Sequence, residues 1–223
     1  MLYLLRVAVL TLCAVTLPAL AQLQIEITRG VDNPTPIAVV PFGWSGPGAS
    51  PEDVARIIDS DLARSGQFSP VSRRDMLSYP TRGSDLYFRD WRAINSEYVL
   101  IGRYELAAAG NLKLSWQLFD STREQSVEEG IVTGEASEVR MLAHKIADEV
   151  YETLTGIPGA FATRLLYVSV TRNPSGKDFY RLTLADSDGA RPIVLLESRD
   201  PILGPSWSPD GQEVAYVSFE TSR

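Results

Sequence analysis

WSPDGQEVAYVSFETSR, residues 207–223, decides how the second part of the chain is read. Pro209-Asp210-Gly211 is a turn signal, and the apolar run Val214–Phe219 behind it has the length and residue types of a strand. Ala215-Tyr216-Val217-Ser218-Phe219 repeats Leu166-Tyr167-Val168-Ser169-Val170 at an offset of 49 residues, with strand candidates Phe179–Leu184 and Ile193–Leu196 between them. Groups of short strands at such a period are the signature of a β-propeller, in which a tryptophan ahead of the turn packs between blades. Closure takes about four to eight blades. The 59 residues from Leu165 to Arg223 supply one blade and one further strand. A lone blade leaves apolar faces uncovered and edges unpaired. The expectation is therefore a truncated propeller, the front portion of a longer protein.

Upstream of Ile157-Pro158-Gly159 the pattern is different, which puts a boundary near residue 160. Ile37–Pro41, IAVVP, is a continuous apolar run of the kind buried on both faces of a sheet. Phe42–Ser50 reads as a loop. Ser50 then serves as an N-cap, Pro51 as the first helical residue and Asp53 at capping-box spacing. Val54, Ile57, Ile58 and Leu62 give that helix one apolar face, and Gly66 closes it. Gln67–Val71 reads as a short strand, residues 72–90 as irregular, and Trp91–Ile94 as a short helix. Tyr98–Leu106, Leu112–Phe119 and Ser126–Val132 are strands, with Gly110-Asn111 as a hairpin signal. A long helix follows from about Ser137 to Leu154 and ends at Gly156. This order predicts an α/β N-terminal domain, a mixed sheet with flanking helices, over residues 34–160, and the start of an all-β propeller over 161–223.

The first 21 residues read as a cleaved secretory signal: Arg6 ahead of the apolar run Val7–Leu17, then Pro18 and Ala19-Leu20-Ala21, with the cut before Gln22. The apolar run is short for a membrane span. Cys13 lies inside it, so the mature chain carries no cysteine and is stabilised by packing rather than disulfides. The whole chain has 21 basic and 28 acidic residues; loss of Arg6 takes its charge from -7 to -8. That balance argues against nucleic-acid binding. Gln22–Thr28, QLQIEIT, alternates Leu23, Ile25 and Ile27 with polar residues, as a half-buried strand does.

Residue types for catalysis are sparse. His144 is the single histidine; without cysteine or histidine neighbours it is expected to be structural, at the surface or partly buried. Gly43-Trp44-Ser45-Gly46 lacks the last glycine of a nucleophile elbow, because residue 47 is Pro. Asp186-Ser187-Asp188-Gly189 starts like a calcium loop, but Ala190 and Arg191 stand where further ligand and glycine positions fall, so it reads as a hairpin turn. No catalytic, cofactor or metal residues are expected, and the chain is not read as an enzyme.

Four stretches, RGVDNPTPIAVVPFGWSGPG (29–48), PEDVARIIDSDLARSGQFSP (51–70), HKIADEVYETLTGIPGAFATRLLYVS (144–169) and PSWSPDGQEVAYVSFE (205–220), resemble the TolB family of the Gram-negative Tol-Pal envelope system. The resemblance covers essentially all of residues 22–223. It implies an α/β domain followed by a propeller of about six blades, and a non-enzymatic, monomeric periplasmic adaptor. In that family the propeller binds the lipoprotein Pal. An N-terminal arm binds the inner-membrane-anchored TolA, switching between docked and released forms. Here the arm corresponds to Gln22, Leu23, Gln24, Ile25, Glu26, Ile27, Thr28, Arg29, Gly30, Val31, Asp32 and Asn33. Its alternation suits addition as a strand to a partner's sheet and equally suits an ordinary edge strand. Two other readings stand beside this one. Propellers with WSPDG-like turns also precede the hydrolase domain of prolyl-oligopeptidase-type enzymes, and a generic exported propeller could bind a small ligand.

Overall fold

The computed structural model describes residues 33–107, 110–174, 176 and 178–220. The expected signal segment 1–21 and the strand Gln22–Thr28 lie outside the described residues.

The apolar run after Pro36 forms β1 (Thr35–Val39). Parallel neighbours hold it on both sides, β3 (Phe68–Pro70) and β4 (Tyr98–Leu106). Ile37 and Val39 point into one core and Ala38 and Val40 into another, which is why this strand shows no polar alternation. β4 then runs antiparallel to β5 (Asn111–Asp120), and β5 to β6 (Gln125–Glu135), giving the order β3-β1-β4-β5-β6.

Two helices cover one face of this sheet. α1 (Val54–Arg64) buries Val54, Ile57, Ile58 and Leu62, the stripe its spacing predicts. α3 (Val139–Thr155) buries Leu142, Ile146 and Val150 beside it. The short α2 (Phe88–Ala93) and the segment around Met76 and Leu86 cover part of the other face, where Trp91 and Phe119 anchor a second core. Leu112, Leu114, Trp116 and Leu118 alternate along β5 and all enter the larger core. Trp116 is paired with Gly102 on β4 and Gly130 on β6. A Cβ on Gly102 would stand 2.4 Å from the Phe42 ring, and one on Gly130 would stand 2.7 Å from the Trp116 indole. The two glycines make the room that two aromatic rings fill.

Past α3 the chain is all strand. β7 (Arg164–Thr171), β8 (Phe179–Asp186) and β9 (Ile193–Ser198) form an antiparallel sheet; β10 (Ile202–Trp207) and β11 (Val214–Ser218) pair separately. The architecture is thus a mixed α/β region followed by open antiparallel sheets. The Ser208–Glu213 turn is wired internally: Ser208 Oγ meets Asp210 Oδ1 at 2.5 Å and accepts from the Glu213 amide at 2.9 Å, while Gly211 takes φ 68°. The Ser208 hydroxyl, then the Gln212 amide, hold the Asp210 carboxyl below its ordinary pKa.

Four local expectations change. The N-cap of α1 is Asp53, not Ser50: Asp53 Oδ1 accepts from the Arg56 amide at 3.1 Å, while the Ser50 hydroxyl is committed to the Glu52 carbonyl and to Tyr104. The stretch read as a loop from Phe42 contains β2 (Gly43–Trp44), paired parallel to β4, with the Trp44 and Tyr104 rings 4.9 Å apart. α2 begins at Phe88, ahead of the predicted Trp91. β10 was hidden by Gly204-Pro205; a register shift between Leu203 and Ser206 absorbs both residues within the pairing.

Candidate functional site

Of the arm Gln22–Asn33, only Asn33 falls among the described residues. It is exposed at a bend two residues before β1. Close by, the Thr35 amide donates to the Gln67 carbonyl at 2.9 Å, at the start of the parallel pairing of β1 with β3. A cavity of about 270 Å³ lies beside it, lined by Phe68, Tyr98, Leu154 and Ile157 among others.

The strongest concentration of buried charge lies where α1, α3 and the β8–β9 turn meet. Arg140, His144 and Asp148 are spaced by four along α3 and so share one face. Each reaches out of the helix. Arg140 Nε lies 3.3 Å from Asp186 Oδ2, and its Nη2 donates to Asp188. Arg191 grips Asp186 from the other side at 2.9 and 3.1 Å. Asp148 accepts from the Phe161 and Ala162 amides at 2.6 and 3.0 Å, fixing the segment between α3 and β7. Ser187 Oγ donates to the Phe161 carbonyl at 2.5 Å. His144, fully buried, meets Asp61 Oδ2 of α1 through Nδ1 at 2.5 Å, and Arg64 holds the other Asp61 oxygen at 2.8 Å. The histidine is therefore structural, as its isolation suggests, but wholly interior. Burial opposes the charge on Asp188, yet the Ala190 amide and then Arg140 keep its carboxyl below the ordinary value. Burial likewise opposes the charge on Arg140, and Asp188, then Asp186, raise its pKa.

A ring nitrogen of His144 and one oxygen each of Asp186 and Asp188 lie within 4.8 Å of one another. Those donor types suit a metal ion, but Arg140 and Arg191 already neutralise both aspartates, so the arrangement is an ion-pair cluster. The turn itself was legible as a hairpin. Its contact with α3 was not, although the Arg140-His144-Asp148 stripe was the available signal.

The open face of the sheet carries a cavity of about 470 Å³ lined in part by Arg103, Lys113, Ser115, Gln117, Glu129 and Ile131. It has cations and amides but no histidine. Ser45 lies in the loop after β2, its amide bonded to the Tyr104 carbonyl at 3.0 Å. Among the described residues no helix is long and apolar enough to cross a membrane.

Residues 23–127 match the TolB amino-terminal domain family, and residues 151–223 match the TolB beta propeller domain family. The Tol-Pal system protein TolB of Pseudomonas syringae pv. tomato is 45% identical over 224 residues, covering 100% of this chain and 52% of the relative. Its counterpart in Thioalkalivibrio sulfidiphilus is 47% identical over 216 residues, covering 96% and 49%. The crystal structure of TolB from Acinetobacter baumannii superposes with a TM-score of 0.72 at 37% identity, covering 89% of this chain and 47% of that one. The chain spans about half the length of the curated relatives it matches.

Proposed function

Because the chain belongs to the TolB family, we propose that it is a non-enzymatic periplasmic adaptor of the Tol-Pal system. In this reading it links the TolA complex of the inner membrane to Pal, maintaining outer-membrane integrity and assisting envelope constriction at division. The observation that carries the reading is the ordered pair of family matches, amino-terminal domain then propeller domain, on one chain. The ion-pair cluster fits an adaptor, since its charges are spent on joining elements rather than left poised toward a cleft.

Within this reading residues 1–21 are the export signal, Gln22–Asn33 are the TolA-binding arm, and the domains meet near residue 160. The same reading assigns Pal binding to the propeller. The arm adds as a strand to TolA, its Leu23, Ile25 and Ile27 entering one face of the joint sheet. Capture by an immobilised TolA C-terminal domain tests it. Protein carrying residues 22–33 is expected to be retained, and protein lacking them to pass through. Equal retention of both forms removes the arm assignment. Mass determination of the exported protein checks the cut before Gln22.

A further inference from the structure

We propose that the uncovered part of the sheet face, over β4, β5 and β6, binds short free peptides, taking the carboxylate at Arg103 and Lys113 and the ammonium at Glu129. The inference stands independently of the adaptor reading.

Leu112, Leu114, Trp116 and Leu118 turn into the larger core, so Lys113, Ser115 and Gln117 face the opposite side of β5. On that side Ile101 and Phe119 are covered by the second core. Beyond them the face is open, and the cavity of about 470 Å³ lies there, with Thr81 among its lining residues. That volume falls within the range of pockets that hold small ligands. Arg103, Ser115 and Ile131 stand directly across from one another on the three strands, and Gln117 stands across from Glu129.

Gln117 is fixed at both ends of its amide: Oε1 accepts from the Gly83 amide at 3.2 Å, and Nε2 donates to Glu129 Oε2 at 2.9 Å. Glu129 is thereby held in place, with its other oxygen free among the described residues. Arg103, by contrast, enters no ion pair among the described residues, and the Thr81 and Ser115 hydroxyls hold no hydrogen bond there. Lys113 has only Glu105, 3.9 Å away, with the two side chains 40% and 51% exposed, a pair worth little in water. The lining thus sets two cations against one carboxylate, in a chain of 21 basic and 28 acidic residues.

A simple anion answers the two cations and leaves Glu129 facing it; a simple cation does the reverse. A zwitterion answers both. Two interstrand steps separate β4 from β6, about 10 Å, and an extended chain of three residues spans about 10 Å. Between its charged ends a peptide needs partners for its amides, and a hydroxyl both donates and accepts. Ser115 supplies one on the middle strand, between Arg103 and Ile131. Ile131, 61% exposed, offers apolar surface to a small side chain.

The probe is trialanine, titrated into the native protein to about 10 mM, tenfold above a millimolar Kd, with backbone amide NMR shifts as the readout. Shifts are expected at Arg103, Ser115, Glu129 and Ile131. Arg103→Met should weaken binding about tenfold, and amidation of the peptide's C terminus by a similar factor. Acetylation of its N terminus should weaken binding about threefold in the native protein and not at all in Glu129→Gln, where the partner is already gone. Both substituted side chains lie outside the two cores, so the variants keep the fold. Absence of shifts on β4–β6 at the highest concentration overturns the proposal, as does equal affinity of the native protein and Arg103→Met. Equal binding of free and acetylated trialanine to the native protein overturns it too, and would assign this face to the C terminus of a protein chain.

Discussion

The α/β region and the strands after it bury their apolar surface in different ways. In the first, one sheet is packed along one face and over part of the other, and the larger core alone joins β1, α1, β4, β5, β6 and α3. In the second, Leu182, Ala185 and Ile202 are the buried apolar residues, while Ile193, Val194, Leu195, Leu203, Tyr216 and Val217 remain exposed. What replaces a core there is attachment: Arg140, Asp148 and Ser187 tie β7–β9 to α3. Packing in the first region is self-contained, whereas the second depends on polar contacts with its neighbour. Stability should therefore be dominated by the first region, and order in the second by the junction.

The hardest test of that asymmetry is Trp116→Ala. The ring is 2% exposed between Gly102 and Gly130, so the cavity cannot be filled by neighbours that lack side chains. Loss of about 4 kcal/mol in denaturant unfolding is expected. Loss of α3's support should take β7–β9 with it, so fluorescence and circular dichroism should report one shared transition. By contrast Leu182→Ala, at 1% exposure in β8, should cost about 2 kcal/mol and leave the α/β region's unfolding midpoint in place. A lowered α/β midpoint in Leu182→Ala would show that the two regions share a core after all.

Arg140→Met attacks the attachment itself. Its side chain is 11% exposed and that of Asp186 is 7%. Removing one partner of a buried pair leaves charge uncompensated, but Arg191 stays on Asp186, so a cost of about 2 kcal/mol is expected. The loss should appear as faster hydrogen exchange in β7–β9, with β4 and β5 unchanged. Uniform acceleration across both regions would mean that they unfold as one body.

The same asymmetry governs what could be read from residues alone. Ile37–Val40, the α1 stripe and the β5 alternation announce themselves because burial is periodic where a sheet and a helix pack. Gly66 and Gly156 were readable as helix ends because both take positive φ, at 72° each. The junction was not readable, because nothing periodic connects Arg140 to Asp186, 46 residues away. Asp186-Ser187-Asp188-Gly189 gave its turn but not its partner, and His144 gave its isolation but not its depth. β10 was missed because Gly204-Pro205 looks like an interruption until a bulge accommodates it. The α1 cap moved because Ser50 and Asp53 are both good caps, and the Glu52 carbonyl together with Tyr104, distant in sequence, takes Ser50 away.

That cap gives a smaller effect within the α/β region. Asp53→Ala removes the acceptor for the Arg56 amide and should cost about 1 kcal/mol. Ser50→Ala should leave the cap intact, and a larger loss from Ser50→Ala than from Asp53→Ala would reverse the assignment.

The smallest expected effect is in acid. Arg73 donates two bonds to Asp53, at 2.6 and 2.7 Å, and with the Arg56 amide holds the Asp53 carboxyl below its ordinary 3.8. A carboxyl depressed on folding stabilises the native state above its unfolded pKa, and that contribution is lost as pH falls through the lower folded value. Arg73→Met should therefore reduce stability at neutral pH by less than about 1 kcal/mol, since the pair is more than a third exposed. Below about pH 4 the native and variant curves should converge as Asp53 protonates in both. Acid unfolding curves of the two proteins that stay apart below that range would take the effect away from Asp53.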